Sequence, residues 1–353
     1  MPRVKSTPRL PCTVRERWRS ASSDHVIALA WSSDGTYLAA AAVSGPLLLL
    51  EGQSGQTMAR LAGHALGTTS LSWAPTRPLL ASAGQDGLVR LWDGPAGQPQ
   101  EVLEAGATWV ERVAWSPDGA YLAAAAGRYV RCWDAAGTLR HTSPAQSSTV
   151  SDMQWAPRQA WINGTLPVLA STAYGGVSLW RPDTPEPLAQ YTWQGSILVL
   201  AWSPHGRYLV HGDQDGTVHF WHLATRKDAR MTGYSTKVRE LAWDASGRFL
   251  ATGGGPVVVI WDFAGKGPQG SRPLMLEAHQ QFLSTLAFQH AGPLLASGGR
   301  DGRLALWQPG AQKKALALQQ LSSGVTQTVW SPDDRLLAVG TEDGGVIVYE
   351  VAR

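Results

Sequence analysis

The fold of this chain is decided by a stretch at residues 63–93, which reads GHALGTTSLSWAPTRPLLASAGQDGLVRLWD. Short apolar runs alternate there with turns made of Gly, Pro, Asp and Ser, and two of the runs end at Trp73 and Trp92. Short runs rich in Val, Leu, Ile and Trp, separated by such turns, predict a meander of β-strands. The same pattern recurs along the chain, and no segment has the spacing of an amphipathic helix.

The two tryptophans of this stretch belong to two periodic series. The first series ends one strand of each unit at Trp31, Trp73, Trp115, Trp155, Trp202, Trp243, Phe288 and Trp330. The second series ends a later strand at Leu50, Trp92, Trp133, Trp180, Trp221, Trp261, Trp307 and Tyr349. Neighbours in the first series are 40 to 47 residues apart. That period is typical of repeat folds, in which one unit cannot bury its apolar face alone.

These motifs resemble the WD-repeat family of β-propellers, from about residue 13 to the end of the chain. The resemblance is carried in the second unit by Gly63-His64, Asp86-Gly87 and Trp92-Asp93, and in the seventh by His279, Asp301-Gly302 and Trp307. It implies an all-β fold, a single closed β-propeller of four-stranded blades. Eight units predict eight blades; the alternative is seven blades, the usual number in the family, with one unit packed aside.

The two ends of the chain are expected to meet in the last blade. Few residues follow Tyr349, so that blade would lack its outer strand and expose an edge. The segment at residues 13–18 has the length to fill this place, with Trp18 as its anchor. We therefore expect a flexible tail at residues 1–12 and one eight-bladed domain at residues 13–353.

The resemblance also implies a hydrogen-bonded tetrad in each complete blade. Two sets match: His64, Ser82, Asp86 and Trp92, and His279, Ser297, Asp301 and Trp307. Ser, His and Asp also make up hydrolase triads, but these sets recur at blade spacing on framework strands, which favours a structural role. Blade five keeps the turn residue Asp215 but has His211 in the Ser place, and blade eight keeps Asp343 without a His.

Composition excludes several classes of function. The net charge is +3, and Lys and Arg are scattered, so we expect no nucleic-acid partner. Cys12 and Cys132 form neither a metal-binding nor a redox spacing. No apolar run could span a bilayer and no secretion signal is recognisable, which favours a cytoplasmic protein with no membrane partner. With no nucleotide loop, zinc spacing or nucleophile elbow, we expect no catalytic residues, cofactor or metal.

Function is instead expected at one mouth of the channel, the top face in the family's usual description. The connections that lead into each blade and the turns between second and third strands meet there. These places give a predicted partner-binding surface made of His25, Gln85, Trp109, Glu111, Tyr174, Trp193, Gln214, Lys237, Arg239, Phe282, Arg300 and Glu342. Aromatic and Arg side chains carry much of the energy in protein interfaces.

The resulting hypothesis is a non-catalytic scaffold, monomeric by itself, that binds a protein or peptide partner. An acidic group and an apolar anchor of that partner would meet the basic residues of blades six and seven beside Phe282. One alternative is a small-molecule or enzymatic site in the channel, around His25, Glu111 and Glu342. Another is a subunit that uses the rim or the bottom face, where Trp161 and the loop at residues 264–271 are expected.

Overall fold

The computed structural model describes residues 12–161, 164, 166–265 and 267–352 of the chain. Its strands form antiparallel sheets of four, each a blade. Blade one contains β2 (Val26–Trp31), β3 (Tyr37–Ala42), β4 (Leu47–Glu51) and β5 (Thr57–Leu61). Blade two contains β6 (Thr68–Trp73), β7 (Leu79–Gly84), β8 (Leu88–Asp93) and β9 (Pro99–Glu104). Blade three contains β10 (Val110–Trp115), β11 (Tyr121–Ala126), β12 (Tyr129–Asp134) and β13 (Leu139–Thr142).

The next three blades follow the same order. Blade four contains β14 (Asp152–Trp155), β15 (Leu169–Ala173), β16 (Gly176–Trp180) and β17 (Ala189–Thr192). Blade five contains β18 (Ile197–Trp202), β19 (Tyr208–Asp213), β20 (Val218–His222) and β21 (Lys227–Met231). Blade six contains β22 (Leu241–Trp243), β23 (Phe249–Thr252), β24 (Val257–Asp262) and β25 (Leu274–Glu277).

The last two blades complete the ring. Blade seven contains β26 (Leu283–Phe288), β27 (Leu295–Gly299), β28 (Arg303–Trp307) and β29 (Ala317–Gln320). Blade eight contains β30 (Val325–Trp330), β31 (Leu336–Thr341), β32 (Gly345–Ala352) and the N-terminal strand β1 (Thr13–Ala21). Successive first strands contact each other from β2 through β26 to β30, and β30 contacts β2. The prediction of eight blades in one ring is confirmed, and the seven-blade alternative is wrong.

The predicted closure by the N-terminal segment is also confirmed. Strand β1 pairs antiparallel with β32, with Thr13 opposite Ala352 and Ala21 opposite Gly345, so it is longer than the segment at residues 13–18. Trp18 is buried, and its indole nitrogen donates a hydrogen bond of 3.1 Å to the Gly52 carbonyl in blade one. One strand therefore completes blade eight and anchors it to blade one. Residues 1–11 of the predicted tail lie outside the described residues.

Apolar side chains are buried between blades rather than at a single centre. Eight apolar clusters each join two neighbouring blades, such as Leu80 and Trp73 with Leu49 of blade one. The second strands are covered on both faces; all six residues of β7 are buried. Large aromatic side chains bury the most area each, so a repeated Trp suits these interfaces.

The first tryptophan series also links the blades by hydrogen bonds. The indole nitrogen of Trp73 donates to the Ala30 carbonyl at 3.0 Å, and that of Trp155 donates to the Ala114 carbonyl at 2.9 Å. Trp31, Trp202 and Trp330 donate in the same way to the blade before them. Five first-series tryptophans make this bond, which favours Trp at the end of the first strand; the indole nitrogens of Trp115 and Trp243 make no hydrogen bond within the described residues, so packing alone accounts for Trp there.

Helical structure is confined to a short 3₁₀ turn, η1 (Arg158–Ala160), in the part of the chain that the structure describes. No helix there has the length and hydropathy to cross a membrane. The turn lies in the insertion of blade four, where the Trp161 indole nitrogen donates to the Ala156 carbonyl at 3.1 Å. Arg158 covers the same ring, at 5.2 Å from its centroid. Trp161 is thus packed against its own loop.

Candidate partner-binding site

The top face is the end of each blade where the connection into the first strand meets the turn between the second and third strands. Both lie at one end because neighbouring strands run antiparallel. Backbone hydrogen bonds tie the two segments together: Gln85 N donates to the Gly67 carbonyl at 2.9 Å, and Arg300 N to the Phe282 carbonyl at 3.0 Å. The loops are therefore held in place by the sheets that carry them.

Five of the predicted partner-binding residues line one pocket on this face. The pocket has a volume of about 380 Å³ and lies where blades five, six and seven meet; the five are Gln214, Lys237, Arg239, Phe282 and Arg300. We call it the basic pocket. Backbone bonds between blades fix its walls: Val238 N donates to the Asp213 carbonyl at 3.1 Å, and Leu283 N to the Gly255 carbonyl at 3.0 Å.

The basic side chains of this pocket are exposed and unpaired. Within the described part of the chain, Lys237, Arg239 and Arg300 form no ion pair, whereas other basic residues do, such as Arg90 with Asp86. Phe282 keeps 48% of its surface exposed beside them. A cluster of cations next to an exposed phenyl ring suits a ligand that has both an anionic group and an apolar side chain.

The pocket also contains a carboxyl group that sequence reasoning missed. Glu240 lines it, and burial raises the pKa of its carboxyl above the ordinary range. Gly253 packs closely against Glu240: a Cβ at that position would collide with the carboxylate oxygen and lie 2.9 Å from the Glu240 Cβ, so a larger residue would displace this side chain. Glu240 directly follows Arg239, one of the predicted positions, but its burial could not be read from the sequence.

The remaining predicted residues lie on the top face away from the basic pocket. Trp109 is 46% exposed and Tyr174 is 57% exposed; Gln85 and Glu342 are also exposed, while His25 and Glu111 are half-buried. No hydrogen bond or ion pair joins His25, Glu111 and Glu342 within the described residues. No group of three or more His, Cys, Asp or Glu side chains in those residues is arranged to hold a metal ion.

Trp193 has a packing role that accounts for it without a partner. Its ring stacks on His219 with a centroid distance of 4.0 Å and meets His211 edge-on at 5.5 Å. These histidines form a buried network in blade five, in which His211 Nδ1 lies 2.6 Å from Asp213 and 3.1 Å separates His211 Nε2 from His219 Nδ1. The turn residue Asp215 pairs with Thr217 instead, so Asp213 supplies the carboxylate of this blade.

The two tetrads are joined by direct hydrogen bonds. His64 lies 2.7 Å from Asp86 and 2.8 Å from the Ser82 hydroxyl, which accepts a bond of 2.9 Å from the Trp92 indole. In blade seven, His279 and Trp307 each lie 2.8 Å from Ser297, and Asp301 is 3.4 Å from His279. Burial lowers the pKa of both histidines. Ser82 and Ser297 are 0% exposed, so no substrate can reach their hydroxyls.

Two other blades reach a similar arrangement with different residues. In blade six the Tyr234 hydroxyl lies 2.7 Å from Thr252 and accepts a bond of 2.7 Å from Trp261. In blade four the Ser171 hydroxyl accepts from Trp180 at 2.8 Å and donates to the Gln146 amide oxygen at 3.2 Å. Tyr234 and Gln146 stand nine residues before the anchoring tryptophan, as His64 does before Trp73. The sequence positions of Tyr234 and Gln146 could have identified them as members of these networks, but neither is the His that the family pattern has at this position.

Comparison with known proteins agrees with this architecture. The sequence profile described as "WD domain, G-beta repeat" matches residues 55–93, 97–134, 186–222, 226–262, 270–308 and 317–350. The chain belongs to the WD-repeat family. The designed Ika8 protein, known from a crystal structure, has the same fold, with a TM-score of 0.78 at 23% identity over 95% of this chain and 99% of that chain.

Curated relatives share only part of their length with this chain. Telomerase protein component 1 of Rattus norvegicus is 28% identical over 52% of the chain and 7% of its own length. WD repeat-containing protein srw1 of Schizosaccharomyces pombe is 28% identical over 54% of the chain and 34% of its own length. Anaphase-promoting complex subunit cdc20 of Dictyostelium discoideum is 28% identical over 46% and 34%, respectively. The chain thus spans about a third of these relatives' length or less.

Proposed function

We propose that this chain is a non-catalytic scaffold that binds an acidic segment of a partner protein at its top face. The basic pocket carries the proposal, because Lys237, Arg239 and Arg300 are exposed next to Phe282 and form no ion pair within the described residues. An acidic group would pair with the cations, and a neighbouring apolar side chain would pack on the phenyl ring. Charged groups give such a site its specificity and association rate, and the aromatic contact adds affinity.

A binding role is further supported by the burial of the tetrads. The distance between His64 and the Ser82 hydroxyl would suit a hydrolase pair. Both side chains are buried, however, and they form hydrogen bonds with Trp92 and Asp86. A nucleophile needs an accessible oxygen and a site for the reacting carbonyl. A relative that is described as a subunit of the anaphase-promoting complex is consistent with a role in assembly.

The proposal is tested by selecting a displayed library of random peptides on the immobilised full-length chain. We expect the selected peptides to combine Asp or Glu with an aromatic or branched aliphatic residue, and to bind more weakly at higher salt. Fluorescence polarisation then compares the affinity of one such peptide for the wild type, Arg239→Glu and Phe282→Ala. Each change should weaken binding by about tenfold or more.

A matched control uses basic residues from the other face. Lys313 and Lys314 are exposed between β28 and β29, at the bottom of blade seven, so K313E/K314E changes charge without touching the pocket. This variant should bind the peptide like the wild type. If the pocket variants bind normally while changes at Trp161 or in the loop at residues 264–271 abolish binding, the functional face is the bottom one.

A further inference from the structure

The top corner of blade four is open where that of blade two is filled. In blade two, Arg90 lies opposite Ser82 and bonds Asp86 at 2.7 Å. In blade four, the residue opposite Ser171 is Ser178, and the turn is Tyr174-Gly175-Gly176, with no Asp. A pocket of about 440 Å³ occupies this corner. We call it the blade-four pocket; its volume is within the range of ligand sites.

The walls of the blade-four pocket are uncharged and rich in rings. Tyr174, Trp180, Tyr191, Pro144 and Pro187 line it, and no Asp, Glu, Lys or Arg is among its lining residues within the described chain. Tyr174 is held by its own backbone: its N–H donates to the Ser148 hydroxyl at 2.8 Å, and its carbonyl accepts from the Ser147 hydroxyl. The exposed Tyr174 ring is therefore carried by a loop that hydrogen bonds hold in place.

A hydrogen-bond donor in this wall lacks a partner. The Gln146 amide oxygen accepts from Ser171, which fixes the orientation of the amide. The amide nitrogen, Nε2, is buried and makes no hydrogen bond within the described residues, and Gln146 lines the pocket. An unpaired buried donor costs free energy unless a ligand or an ordered water supplies an acceptor. A neutral ligand that carries a carbonyl oxygen would therefore complement this wall.

We propose that the blade-four pocket binds an uncharged, proline-containing segment of a partner protein. Proline rings stack on the faces of tyrosine and tryptophan, and the extended polyproline helix has solvated backbone carbonyls. One such carbonyl can accept a bond from Gln146 Nε2 once the side chain turns toward the pocket, since this nitrogen has no exposed surface in the unbound chain. Proline also brings no backbone N–H that the pocket would have to satisfy. An acidic ligand is excluded here by the lack of a cation in the walls.

This site is separate from the basic pocket. The two share no lining residue, and one lies at blade four while the other spans blades five to seven. A proline segment can therefore bind whether or not an acidic segment does. Arg239→Glu should weaken the acidic peptide alone, so a failure of one proposal is distinguishable from a failure of the other.

The probe is a fluorescein-labelled peptide of consecutive prolines, titrated with the full-length chain in a fluorescence polarisation assay. A glycine–serine peptide of equal length and label is the control ligand, and we expect it to bind at least about tenfold more weakly. Equal binding of the two peptides, or no binding of the proline peptide, overturns the proposal.

Two variants locate the binding. Tyr174→Ala removes an exposed ring and should weaken the proline peptide by about tenfold, while Tyr129→Ala, an exposed tyrosine at the equivalent turn of blade three, should not. Gln146→Glu keeps the oxygen that faces Ser171 and removes the Nε2 donor, and should weaken the peptide at least as much. Melting curves confirm that each variant is folded. If the folded Tyr174→Ala variant binds like the wild type, the peptide lies elsewhere and the assignment is wrong.

Discussion

Blades two and four have the same four-stranded sheet, but one has a closed top corner and the other an open one. In blade two, Trp92, Ser82, His64 and Asp86 form one chain of hydrogen bonds. In blade four the chain stops at Gln146, whose amide nitrogen is unpaired within the described residues. The closed corner satisfies its own polar groups, whereas the open corner leaves one for a ligand.

The difference does not disturb the ring, because another set of bonds holds the blades together. Trp73 and Trp155 donate to the preceding blade with nearly equal distances, 3.0 and 2.9 Å. The corner is therefore free to vary while the inner strands keep their places. A repeat fold can in this way combine rigid and receptive units.

The largest expected effect separates the two serines at these corners. Ser82→Ala leaves the buried His64 and Trp92 nitrogens without partners, and each such loss costs about 1–3 kcal/mol. We expect the free energy of unfolding to fall by about 4 kcal/mol. Ser171→Ala should cost about 2 kcal/mol, because it leaves the buried Trp180 nitrogen without a partner, whereas the Gln146 oxygen loses only a longer bond of 3.2 Å. Chemical denaturation measures both; equal losses would mean that the two corners are equally closed.

Blade five provides an intermediate case, with a corner closed by titratable groups. Burial lowers the pKa of His219 to about 4, from an ordinary value of 6.5. As the pH falls below 6.5, the unfolded chain therefore binds a proton first, and stability that is complete above pH 6.5 is lost as the pH approaches 4. Over this window the loss is about 3 kcal/mol. Denaturation at a series of pH values measures it.

The matched variant for this pH effect is His219→Gln, which keeps a polar side chain but has no group that binds a proton in this pH range. Its stability should fall less between neutral pH and pH 4 than that of the wild type, and its difference from the wild type should shrink as the pH falls. Parallel curves for the two proteins would show that His219 is not the group responsible.

A third, smaller effect compares two aspartates that look alike in sequence. Asp86 pairs with His64 and Arg90, so Asp86→Ala should cost about 2 kcal/mol; Asp301→Ala in blade seven should behave alike. Asp215 occupies the same turn position in blade five, but it is exposed and bonds only its neighbour Thr217, and Asp215→Ala should cost less than about 0.5 kcal/mol. A large loss at Asp215 would contradict the assignment of Asp213 as the carboxylate of blade five.

The sequence predicts the ring well because the ring depends on a repeated local requirement. Each first strand ends in a large aromatic that packs between blades and, in most of them, donates a hydrogen bond to the blade before it. Trp31 and Trp155 therefore mark blades one and four even though most of those blades lies outside the segments that the family profile matches. Leu50 is fully buried in the place of the second-series tryptophan, so shape alone suffices there.

The candidate site is less predictable, because it depends on which side chains turn inward. The positions of Lys237, Arg239, Phe282 and Arg300 follow from the strand ends, and the structure brings them to one pocket. Trp193 occupies an equivalent connection but folds back onto His219. The roles of Glu240 and Gln146 could not be predicted from the sequence, because the burial of a carboxyl group and an unpaired amide nitrogen both arise from tertiary packing.

The smallest expected effect on stability comes from giving blade four the residue that closes blade two. Ser178 occupies the position of Arg90, opposite Ser171 on one side and Gln190 on the other. Ser178 lines the blade-four pocket, so in Ser178→Arg the new side chain can extend into that space. We expect the free energy of unfolding to change by less than about 0.5 kcal/mol, as for most substitutions at partly exposed positions.

The same variant should lose the proline peptide, because the guanidinium fills the space between Tyr174 and Tyr191. Ser178→Ala is the control, since it removes the hydroxyl without filling the corner, and it should retain both stability and binding. A Ser178→Arg protein that binds the peptide like the wild type would show that an open corner is not what makes blade four receptive.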